Sequence, residues 1–176
     1  ERRRREVISC LYESLMQNWN LPKSVQDHYG FTEDYRLFHQ LEDMDSGVYH
    51  EKREAGEVPD ILGVDARLTR RVEELFEKLC PHPPVEYLDK LNGELERLGR
   101  IAASPDAVHD IFHIHPDFLV KYGIDKNASA TERSCQAEKA YRELDARFVR
   151  MTGRRPYVDE FFSSVKRKAE DAVKEN

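Results

Sequence analysis

Apolar residues near the start of the chain recur at spacings of one, three and four: Val7, Ile8, Leu11, Tyr12, Leu15, Met16 and Trp19. On a period of 3.6 these positions form one broad stripe, so the spacing predicts a core-facing helix. Pro22 ends it, because a proline disfavours helical geometry in the residue before it. Ser24 to Gly30 reads as a short turn, after which Thr32 is placed to cap a helix carrying Tyr35, Phe38, Leu41 and Met44. Ser46 and Gly47 interrupt that pattern before Val48 and Tyr49, and residues 56–64, with Gly56, Pro59 and Gly63, read as the longest irregular connection.

Beyond this connection a seven-residue period takes over. Asp65 is positioned to cap a helix with Leu68, Val72, Leu75 and Leu79 on one seam, and Cys80-Pro81-His82-Pro83-Pro84 then breaks the chain. A helix from about residue 84 to 103 carries Leu88, Leu91, Leu95, Leu98 and Ala102. Ser129, with Glu132 three positions on, has the form of a capping box and opens a helix with Ala130, Ser134, Ala137, Tyr141, Leu144, Phe148 and Met151 in the same register. Gly153 and Pro156 separate this from a last stripe of Val158, Phe161, Phe162, Val165, Ala169, Ala172 and Val173.

Valine, isoleucine and threonine together number 23 of 176 and never alternate over a strand length, so a sheet has little to be built from. The expected fold is therefore all-α, a multi-helix bundle of about seven helices with mostly antiparallel neighbours, because the connections are short. Leu75, Leu95, Leu144, Phe148 and Phe161 are its expected core residues. No internal repeat is convincing: Pro59-Asp60-Ile61-Leu62 and Pro116-Asp117-Phe118-Leu119 match over four positions with diverging flanks.

A chain of 176 residues suits one domain, 1–176, with a possible subdivision near 56–64. No run approaches the roughly 18 apolar residues of a bilayer span. The first residues, Glu1 followed by Arg2 to Arg5, contain neither an initiator methionine nor the apolar stretch of a signal peptide, so the chain reads as excised from something longer. Cys10, Cys80 and Cys135 are odd in number and far apart, which fits neither a disulfide framework nor a cysteine metal knuckle. The expected location is intracellular, cytoplasmic or nuclear.

The densest polar cluster runs from Ser104 to Asp117. Ser104 at a cap and Pro105 at the first helical position predict a helix start. An α-helix there sets Asp106, His109, Asp110 and His113 on one face, with Val108, Ile111 and Phe112 on the other. Two imidazoles at i and i+4 beside carboxylates are a geometry in which a helix offers ligands to a zinc-like ion, so His109, Asp110 and His113 are the metal candidates. The His109-Asp110 doublet resembles that of the metal-dependent HD phosphohydrolases, all-helical proteins that place such a doublet on a helix. The resemblance covers two residues, and it implies an upstream histidine, for which His50 or His82 would have to serve, and a downstream aspartate, Asp145. The plainer alternative, a polar outer face on an amphipathic helix, carries more weight, and neither a metal nor a catalytic residue is assigned.

Other chemistries find less footing. There is no nucleophile elbow, no cysteine beside an activating histidine and no glycine-rich phosphate loop, so no cofactor is expected. Net charge is −6, from 34 acids against 28 lysines and arginines, which argues against nucleic acid as a partner. Basic groups nevertheless cluster at Arg2 to Arg5, at Arg67, Arg70 and Arg71, at Arg154-Arg155 and at Lys166-Arg167-Lys168, mostly interleaved with acids. The expectation is an intracellular protein-interaction or regulatory module with a protein partner and no catalytic activity, its oligomeric state left open. The alternatives are a metal-dependent hydrolase using residues 106–117 and a phosphate contact, to nucleic acid or anionic lipid, through the basic N-terminal arm.

Overall fold

The computed structural model describes residues 1–153, of which 76% are helical, with no strand among them. Eight α-helices follow in order: α1 (Arg2–Gln17), α2 (Lys23–Tyr29), α3 (Thr32–Asp43), α4 (Ser46–Glu54), α5 (Ile61–Leu79), α6 (Val85–Ala103), α7 (Pro116–Lys121) and α8 (Ala130–Thr152), with a 3-10 helix at Pro105–His109 between α6 and α7. The bundle is all-α, as the scarcity of alternating β-branched residues requires. The helix expected around 156–173, its core residue Phe161 and the basic groups beyond Gly153 lie outside the described residues. The chain divides into two compact units, Glu1–Pro81 and His82 onward. The division falls at the proline-rich break after Cys80, whereas residues 56–64 lie inside the first unit as the connection from α4 to α5.

In the first unit α5 is the element against which both α1 and α3 pack. Its buried residues are Leu68, Val72 and Phe76, with Glu73 among them, and Phe76 is fully inaccessible. Leu75, expected in the core, is only half-buried. The strict seven-residue seam drifts off the contact face of a helix with 3.6 residues per turn, and the i+4 step from Val72 places Phe76 inward instead. Leu11, also fully buried, is the centre of the α1 stripe. That helix ends at Gln17 because Asn18 turns left-handed at φ 57°, so Trp19 leaves the stripe and is 59% exposed.

Two segments read as irregular are helices. Ser24 to Tyr29 belongs to α2, which starts after Pro22, buries Val25 and is closed by Gly30 at φ 77°, a left-handed position that glycine occupies without strain. Ser46 and Gly47 begin α4, because the Asp45 carboxylate accepts hydrogen bonds from Gly47 N at 3.0 Å and Val48 N at 3.2 Å. Likewise Asp60, not Asp65, caps α5, accepting from Leu62 N at 3.0 Å. At α4 and α5 an aspartate answers a free amide of the first turn, ahead of the positions where the apolar period becomes visible.

The second unit is built on the pairing of α6 with α8, the most extensive helix contact among the described elements. Tyr87, Leu91, Leu95, Leu98 and Ile101 of α6 are completely inaccessible, and Ala137, Tyr141, Leu144 and Phe148 of α8 are buried. The Ser129 side chain accepts from Glu132 N at 3.2 Å, the predicted cap. Ala130 is exposed, and the buried position on that first turn belongs to Arg133. A buried polar group also joins α6 to α7: Lys121 Nζ lies 3.0 Å from Glu94 Oε1, and Tyr122 donates its hydroxyl to the other carboxylate oxygen. Such a charge survives burial because its lone pairs are met.

Candidate functional site

The Ser104 to Asp117 segment does not form the α-helix expected of it. Pro105 opens a 3-10 helix that ends at His109, since Asp110 takes φ −84° and ψ 79°. The chain then turns, with the Asp110 carbonyl accepting from His113 N at 3.2 Å and Ile114 N at 2.8 Å. His109 and His113 are therefore not one α-turn apart on a shared face, and the amphipathic division of the segment is lost with it. The neighbouring helix holds the segment in this form. Arg133 of α8 donates from Nε to the Pro105 carbonyl at 3.1 Å, from Nη1 to the Ala128 carbonyl at 2.6 Å and from Nη2 to Asp106 Oδ1 at 3.0 Å. A carbonyl engaged in this way holds the segment against α8 and α6, with Val108 and Ile114 inserted into the core at 1% and 0% exposure.

What this creates is a presented apolar tip. Ile111 and Phe112 sit between the two buried anchors, and Phe112 is 93% exposed and Ile111 55%. The turn is braced from within by the His113 ring, hydrogen-bonded to Asp110 Oδ2 at 2.8 Å. That hydrogen bond, with the imidazole's charge beside it, holds the Asp110 carboxyl below the usual carboxylate range. His115 caps α7, accepting from Asp117 N at 3.3 Å, with Pro116 at the first helical position.

The metal candidates are thus only partly brought together: Asp110 and His113 touch, and His109 stands at the end of the 3-10 helix, exposed. Among the described residues no group of three or more histidine, cysteine or acidic side chains is placed to hold an ion. His50 lies on α4 in the first unit, His82 in the proline-rich break and Asp145 on α8. Nor is any described helix long and apolar enough to cross a membrane.

The basic arm is a surface of the first turn of α1. Arg2 pairs with Glu6 at 3.4 Å and Arg5 with Glu1 at 3.6 Å, exposed i,i+4 contacts of small worth. Arg4 instead donates to the Leu79 carbonyl at 3.0 Å, meeting an acceptor that the end of α5 leaves free. Arg3, Arg4 and Lys78 line a groove of about 630 Å³ together with Val7, Val25 and Leu79. A smaller hollow of about 240 Å³ shares its Tyr29 and Lys78 and extends to Phe31 and Leu75. Sequence reasoning did not find this groove, because its walls come from α1, α2 and the last turn of α5, and α2 was read as a turn. The Phe112 tip was equally hidden, since its exposure depends on the helix not forming.

No family model, curated protein or solved structure matches the chain.

Proposed function

We propose that the chain is an intracellular protein-interaction module without catalytic activity of its own, and that its second unit engages a partner through Ile111 and Phe112. The observation that carries this reading is the near-complete exposure of Phe112 on a turn fixed from both sides. Isolated surface hydrophobics are ordinary, but an aromatic ring held out by two buried neighbours loses little conformational freedom when it enters a pocket. Buried aromatic anchors supply most of the energy at protein interfaces. The Asp110 carboxylate on the tip's own turn is hydrogen-bonded to His113, and residues 106–120 contain no lysine or arginine to draw the tip to anionic headgroups, which favours a protein pocket over a lipid surface. Cys10, Cys80 and Cys135 are not joined to one another in disulfides, in keeping with the reducing compartment proposed here.

Affinity capture with the wild-type chain, followed by calorimetric titration of the purified partner, tests this. Phe112→Ser is expected to weaken binding about 30-fold or more, the signature of an interface anchor. Its thermal stability should stay within about 0.5 kcal/mol of wild type, as for other surface substitutions. A partner that binds Phe112→Ser and wild type equally removes the reading.

A further inference from the structure

We infer that the groove of the first unit is a docking site for an acidic amphipathic peptide carrying two apolar anchors. The inference rests on side chains remote in sequence from Phe112 and stands or falls separately from the reading above. Its first support is unspent positive charge. Of the four N-terminal arginines, Arg2 and Arg5 are paired with Glu6 and Glu1, and Arg4 is committed to the Leu79 carbonyl. Arg3 and Lys78 have no acidic partner among the described residues, and both line the groove. Glu6, already facing Arg2, is the one carboxylate among the described residues of the larger chamber, so that chamber is a basic feature in a chain of net charge −6, while the smaller hollow carries Glu74 as well as Lys78. Like-charge repulsion between the unpaired cations is relieved by an anionic occupant.

The second support is shape. The larger chamber has an apolar floor, with Val25 buried at 8% exposure and Val7 and Leu79 half-buried beside it. The smaller one is floored by Phe31 and Leu75, and Tyr29 and Lys78 form the wall common to both. Two hollows with apolar floors, sharing the Lys78 ammonium group and with Glu74 lining only the smaller, match a segment with two apolar side chains and an acidic residue between them that faces the larger chamber's cations. A free phosphate would satisfy Lys78 and leave both floors wet, and a bilayer surface does not reach a concave floor. Arg71 in the smaller hollow does not serve as a ligand, because it is held by Asp34, the Gly30 carbonyl at 3.2 Å and the Phe31 ring at 4.8 Å.

Fluorescence anisotropy on the full chain provides the test. The probe is a labelled peptide of about 15 residues, a length on which helix can form, with leucine along one face and glutamate along the other. The glutamate peptide is expected to bind in a salt-sensitive manner, and a counterpart with lysine for glutamate is expected to bind at least about tenfold more weakly. Lys78→Ala and Arg3→Ala should each weaken the glutamate peptide severalfold, with circular dichroism unchanged, and amide shifts on binding should fall on Val7, Val25, Tyr29 and Lys78. Failure of the glutamate peptide to bind overturns the proposal, as does equal binding of the lysine peptide. Displacement of the bound peptide by inorganic phosphate, duplex DNA or anionic vesicles at comparable concentration overturns it in favour of a general anion surface.

Discussion

Lys121→Met puts the buried pair between α6 and α7 to a quantitative test. The Glu94 and Lys121 side chains are 5% and 11% exposed, and their charged atoms are 3.0 Å apart. An exposed pair at that distance contributes about 0–1 kcal/mol, because water screens it and two flexible side chains must be ordered. Here the screening is largely absent. Methionine fills most of the lysine volume, so packing changes little and the loss is electrostatic: Glu94 keeps a buried negative charge with the Tyr122 hydroxyl as its remaining partner among the described residues. Removing one member of a buried pair costs about 3–5 kcal/mol, and one residual hydrogen bond puts the expectation toward the lower end, about 3 kcal/mol. The second step is diagnostic. Adding Glu94→Gln to Lys121→Met removes the stranded charge and should recover more than half of that loss, whereas two independent defects would add. Urea denaturation followed by circular dichroism gives the free energies, and hydrogen exchange should show the loss of protection concentrated in α6 and α7. A single-substitution cost below about 1 kcal/mol, or simple additivity in the double variant, refutes the argument and makes the pair a surface contact in energetic terms.

Two further outcomes follow from the same structure. Phe148→Ala opens a cavity under a side chain that is 5% exposed, and should cost about 3–5 kcal/mol in denaturant titration; a loss under about 1 kcal/mol would show that its neighbours collapse freely. Asp110 should titrate by NMR below the usual carboxylate value, and His113→Ala should move it back upward. Because the folded-state value is the lower one, the contribution of this carboxylate to the turn is present at neutral pH and is lost as the pH falls through that depressed value. An Asp110 titration indifferent to His113→Ala would show that the ring does not brace the turn.

Hydrophobic spacing alone was enough to determine the fold class and the long helices. Leu91, Leu95 and Leu98 on α6, and Ala137, Tyr141, Leu144 and Phe148 on α8, were legible because a helix that buries one face must repeat its apolar residues near 3.6, whatever it packs against. The Ser129 cap and the proline-rich break after Cys80 were legible for a similar reason, since capping and proline geometry are local. Short elements were not. Seven residues of α2 and nine of α4 show too little of a period to be told from turns, and they are helical because Val25 is buried in the first unit and Asp45 answers the free amides of α4.

Both candidate surfaces depend on contacts distant in sequence. Ser104-Pro105 is a sound local helix start, yet Arg133, 28 residues on, binds the Pro105 carbonyl and the segment takes a 3-10 turn that expels Phe112. The basic arm was visible as four consecutive arginines, but that Arg4 is committed was decided by the carbonyl that α5 leaves at Leu79, 75 residues away. A one-dimensional pattern records which face of a helix is apolar. It does not record which backbone carbonyls a folded neighbour leaves open, and in this protein those carbonyls decide which side chains are held and which are left to meet a partner.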